Sequence, residues 1–209
     1  MVQMTLVQCS DLSPARWLVE QSQGDDWARL AARGPKGYPA YSRLRFVPDP
    51  SYNGQSTNEV DFNEGHDGPP PVEAELIGFV LAELAGHTDT PDACYFCVWD
   101  GWSTIKADRA MPKVEIPNRD YFLFHGTTSD IEYWEKCNAR GALRDAGRYG
   151  EMPDPAFVWP ADRAWCIAND VDPHYATIGA SIEAIEQLLA DPRIDTVADD
   201  PQVEPPYWA

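Results

Sequence analysis

The chain has 209 residues, 44% of them apolar, with 34 acidic against 16 basic side chains and a formal net charge of −18. That length and apolar content bury a sizeable core without disulfides. The acid excess would repel a phosphate backbone, so nucleic acid is excluded as a direct partner, and no stretch approaches the ~18 consecutive apolar residues of a membrane span.

The beginning, "MVQMTLVQCSD", lacks the basic start and apolar run of a secretory leader, which predicts a cytoplasmic protein. Ser13-Pro14 reads as a helix cap with proline at the first helical position, opening "ARWLVEQ". "DDWARLAARG" reads as a second short helix with acids in its first turn and Gly34 as its stop. "YSRLRFV" alternates as a strand does. Residues 48–71, rich in Pro, Gly, Asn and Asp, are predicted to form a long surface loop. In "VEAELIGFVLAELAGHT", Leu76, Ile77, Val80, Leu81 and Leu84 fall at helical spacing, with Gly86 as the expected cap.

"CYFCVWDGW" has the aromatic and β-branched content of a strand, and "KVEI" with "DYFLFHG" around "PNR" predicts two more, paired. "TTSDIEYWEKC" predicts a helix capped by Ser129. Arginine gathers in "RGALRDAGRYGEMPDP", a connection. "FVW", "RAWCIAND" and "YATIG" are strand-like. Ser181 then launches "IEAIEQLLAD", whose Ile182, Ile185, Leu188 and Leu189 are expected to form one buried stripe, ended by Pro192. "IDTVA" predicts a final strand, and 199–209 an acidic, proline-rich surface tail. Together these elements predict a single α+β domain with a central mixed or antiparallel sheet flanked by helices.

Five cysteines, at 9, 94, 97, 137 and 166, form an odd set without the spacing of a disulfide framework. Cys94 and Cys97 form a C-x-x-C, but residues three apart in a strand point to opposite faces. Core packing is the expectation, rather than a redox centre at a helix start or a zinc knuckle on a turn. Asp170, Asp172 and His174 alternate along an extended stretch and are the most metal-like cluster; a polar strand end running into an Asp-Pro turn has the same composition. His125 precedes two threonines, but no nucleophile elbow or phosphate-cradling loop accompanies them. No cofactor is predicted.

The ordered motifs "TPDACYFCVWDGW", "IPNRDYFLFHG" and "VWPADRAWCIANDVDPHYATIGAS", followed by an acidic amphipathic helix, resemble an actinobacterial protein family of uncharacterised activity, over roughly residues 76–198. An N-terminal helical part, a central sheet and a C-terminal helix are also similar to the SUKH superfamily, whose bacterial members are often immunity proteins that bind secreted toxins. Neither resemblance implies catalytic residues. The acid surplus fits either a solubility feature or a protein partner with a basic surface, such as a cationic toxin. On the second reading, Asp61, Glu64 and Asp67 and the aromatic pair Trp99 and Trp102 are the binding candidates. The competing class is a small enzyme or metal protein using Asp170, Asp172 and His174.

Overall fold

A computed structural model describes residues 6–24, 26–60, 72–102, 105, 107–131 and 153–209. They form one nine-stranded antiparallel sheet with helices on both faces, the α+β architecture that the alternating segments imply. The strands are β1 (Val7–Gln8), β2 (Ala40–Arg45), β3 (Cys94–Trp99), β4 (Val114–Ile116), β5 (Arg119–Gly126), β6 (Phe157–Pro160), β7 (Cys166–Ala168), β8 (Tyr175–Ala180) and β9 (Thr196–Asp199). Across the sheet they run β1-β5-β3-β6-β7-β8-β2-β9, with β4 also on β5. The helices are α1 (Arg16–Gln21), α2 (Asp26–Arg33), α3 (Glu73–Leu84) and α4 (Ile182–Ala190).

Side chains alternate across a strand, so each strand feeds two cores. On one face Phe96, Val98, Phe122, Val158, Ile167 and Ile178 pack with α3 and α4. On the other Cys97, Tyr121, Leu123, Phe157, Trp159 and Cys166 pack with Leu18 of α1 and Leu30 of α2. Trp165 is fully buried and its indole N–H donates to the Leu84 carbonyl at 2.9 Å, tying the end of α3 to the sheet. Trp159 is a core residue stacked on Tyr95.

The predicted hairpin from "KVEI" to "DYFLFHG" is present, with Ile116 opposite Arg119 across a two-residue Pro117-Asn118 turn. Asn118 takes φ 62°, a left-handed conformation that asparagine tolerates. Gly34 (φ 69°) ends α2 as expected, its N–H bonded to the Leu30 carbonyl.

Four expectations are corrected. Ser13 caps nothing; its N–H and hydroxyl bond to Asp11, and Ser13–Ala15 is a 3-10 turn leading into α1. Gly86 sits within a 3-10 turn, Ala85–His87, that prolongs α3, and its φ is not positive. The cap before Ile131 is Thr127 rather than Ser129, in a reciprocal box with Asp130. In α4, Ile185 and Leu188 are buried with Ala184, but Ile182 and Leu189 are 59% and 40% exposed. The helix buries only the narrow stripe of residues 184, 185 and 188, and Ile182 and Leu189 fall beside it around the helix.

In the 48–71 loop, residues 48–60 include a 3-10 turn, Thr57–Glu59, held by a Ser56/Glu59 capping box, while 61–71 lie outside the described residues. No described helix is long and apolar enough to cross a membrane.

Candidate protein interface

At one end of the sheet, the close of β3, the β4–β5 hairpin and the β7–β8 connection meet on the α1/α2 face. Trp99 ends β3, and the chain turns through Asp100-Gly101, the Asp100 N–H donating to the Asp120 carbonyl at 3.0 Å. A Cβ on Gly101 would stand 2.3–2.5 Å from Trp99 ring atoms, so this turn tolerates only glycine without moving the indole. The ring of Trp102 meets Trp99 edge-on, centroids 6.0 Å apart, and is 40% exposed.

Arg119, the first residue of β5, shares the face of Tyr121 and Leu123, which carries its guanidinium over the Trp99 ring, 5.4 Å from the centroid. The same guanidinium donates to both Asp170 oxygens at 3.2 Å and to Asp172 at 3.1 Å. Hydrogen bonding to Asp170 is the main reason its pKa is raised, against the opposing effect of burial. Arg119 thereby joins two groups of candidates that the sequence keeps apart, the tryptophans and the aspartates. The Asp170 side chain is largely enclosed, whereas that of Asp172 is 79% exposed. Lys113 pairs with Asp100 beside the turn. Beneath lies Tyr121, its hydroxyl buried without a hydrogen-bond partner among the described residues; burial, then the nearby Asp170 charge, raises the phenol pKa.

His174 does not join Asp170 and Asp172. Its Nε2 lies 3.1 Å from Asp49, in a separate ionic network under β8, β2 and β9. There Arg43 grips both Asp49 oxygens at 2.7 and 3.0 Å and also reaches Asp199, which Arg33 of α2 meets at 2.7 Å. Burial alone would raise the Asp49 pKa, but hydrogen bonds from Arg43 and His174 and the charges of Arg43 and Arg45 outweigh it and hold the carboxyl at about 2. Sequence reasoning missed this network. Its signal was "SRLR", in which two arginines at period two on a buried strand must share one face and require acids there.

Among the described residues no three His, Cys, Asp or Glu side chains gather as metal ligands would. The His125 ring packs against Tyr95, 5.2 Å between centroids, and the Thr127 hydroxyl is engaged by Ser129 and Asp130. Cys94 and Cys97 are buried in different cores, Cys94 under α3 and Cys97 under α1 and α2. Asp61, Glu64 and Asp67 lie outside the described residues. What the arrangement offers chemically is an exposed aromatic ring on a braced support, rimmed by carboxylates. No family model matches the chain, and no curated protein or solved structure matches it.

Proposed function

We propose that the chain acts by binding a protein with a basic surface, in the manner of an immunity-type inhibitor of a cationic toxin. The observation that carries this reading is Trp102, a large aromatic side chain left 40% exposed on a support fixed by Trp99, Arg119, Asp170 and Asp172. Anchors of this kind dominate binding energy because they bury much area at little entropic cost. The exposed Asp172 carboxylate and the net charge of −18 supply electrostatic complementarity to a basic partner.

The test is copurification of the partner from the host cell, followed by association kinetics. Trp102→Ala is expected to weaken the complex at least about tenfold, and Asp172→Asn to slow association at low salt. An acidic partner, or an association rate insensitive to salt, refutes the reading and leaves the charge as a solubility feature.

A further inference from the structure

We infer that the surface formed by Pro48, Gly54, Gln55 and His174 is a receptor for an extended peptide carrying a tryptophan, occupied in the free protein by the chain's own residues 205–209. It is separate from the Trp102 surface and does not depend on that reading.

The bound segment shows what the receptor recognises. The Gly54 N–H donates to the Tyr207 carbonyl and the Ala209 N–H to the Gln55 carbonyl, both at 2.9 Å, so that Gln55 and Trp208 pair as parallel strands do. Between these bonds the Trp208 indole N–H donates to the Pro48 carbonyl at 3.1 Å, and its ring stands edge-on to His174, centroids 6.4 Å apart. Main-chain bonds supply affinity and the tryptophan contact supplies selectivity, as when an extended peptide adds to an exposed edge.

The receptor is built by residues outside the segment it holds. Asp49 is fixed by Arg43, Arg45 and His174. The Gln55 side chain accepts the Ser51 N–H at 2.8 Å, and the Ser56/Glu59 box closes the loop behind it. Gly54 has φ 79°. The occupant itself lies at the surface. None of residues 200–209 is fully buried, and Tyr207 is 58% exposed. Ahead of the segment, Arg33 grips the Asp199 carboxylate and the Asp200 carbonyl. Beyond that point the segment is a tethered ligand, which competes with any external peptide at an effective concentration on the order of millimolar. The tether sets a threshold: a partner peptide displaces the segment only by making further contacts.

The test uses the full chain and a synthetic peptide of residues Val203–Ala209, with amide resonances as readout. In Trp208→Ala the peptide is expected to shift Gly54, Gln55 and His174 at about 1 mM, at least about tenfold below the concentration the unaltered chain requires. The same peptide with alanine in place of its tryptophan should be silent. Trp208→Phe, which keeps a ring and loses the bond to the Pro48 carbonyl, gives an intermediate response and serves in place of Trp208→Ala should that variant not fold. No shift by about 5 mM, equal response in the altered and unaltered chains, or shifts centred elsewhere overturn the inference.

Discussion

Cys94 and Cys97 lie three residues apart on β3 and in different cores, one under α3 and the other under α1 and α2. Neither can reach the other to close a disulfide or share an ion. Burial raises both thiol pKa values, that of Cys94 to about 12, with Asp162, Asp92 and Asp130 adding to it. Cys166 is buried likewise, whereas Cys9 is only partly covered. In native labelling with a thiol reagent near neutral pH, Cys9 is therefore expected to react first among these four. Cys94, Cys97 and Cys166 should react only on unfolding, as peptide mapping over time would report.

Leu188 and Leu189 are neighbours in α4 with opposite fates. Leu188 is fully buried, so Leu188→Ala should cost about 2–5 kcal/mol in denaturant melts. Leu189→Ala and Ile182→Ala, on exposed positions, should cost about 0.5 kcal/mol or less. Equal losses at 188 and 189 would show that the helix rests on a different strip.

Gly101→Ala probes the support of the candidate interface. The added methyl would meet the Trp99 indole at 2.3–2.5 Å, so the ring that Arg119 covers must shift. A stability loss of about 1–3 kcal/mol is expected. A changed tryptophan emission spectrum should accompany it, and the spectrum separates displacement of Trp99 from a general loss of fold.

Asp49 makes stability depend on acid. Its folded pKa, about 2, lies below the ordinary value of 3.8, so its contribution is fully present above about pH 4 and is lost as pH falls through about 2. The shift corresponds to at most about 2 kcal/mol. Asp49→Asn should therefore be less stable than the unaltered chain at neutral pH, and the gap should narrow between pH 4 and pH 2. A gap constant across that window would place the carboxylate's role in shape rather than charge.

Much of the fold is legible locally. The aromatic, β-branched segments become strands because that composition suits a pleated surface buried on both sides, and the period of two divides "CYFCVW" between two cores. What local pattern does not contain is partnership at a distance. Arg119 reaches Asp170 and Asp172, and His174 turns to Asp49 rather than to the aspartates beside it in sequence. Strand order accounts for His174, since β8 lies next to β2, whereas β3 and β6 stand between β5 and β7 and the Arg119 side chain meets Asp170 past the end of β7. The two-residue β1 is too short to carry a pattern, and the width of the stripe that α4 buries depends on what packs against it.

Strand β2 lies between β8 and β9, Ala40 opposite Ala180 and Leu44 opposite Thr196. During synthesis, Ala40–Arg45 leaves the ribosome long before either neighbour exists, and at ordinary rates of translation the wait is on the order of ten seconds. Through that interval the nascent chain carries a strand with both edges unsatisfied, and Arg43 and Arg45 have Asp49 but not yet their distant acids, Asp199 and Asp195. The protein's exposure to misassembly is thus concentrated in its own biosynthesis. A chaperone that shelters the first fifth or so of the sequence would act where the topology leaves the greatest need.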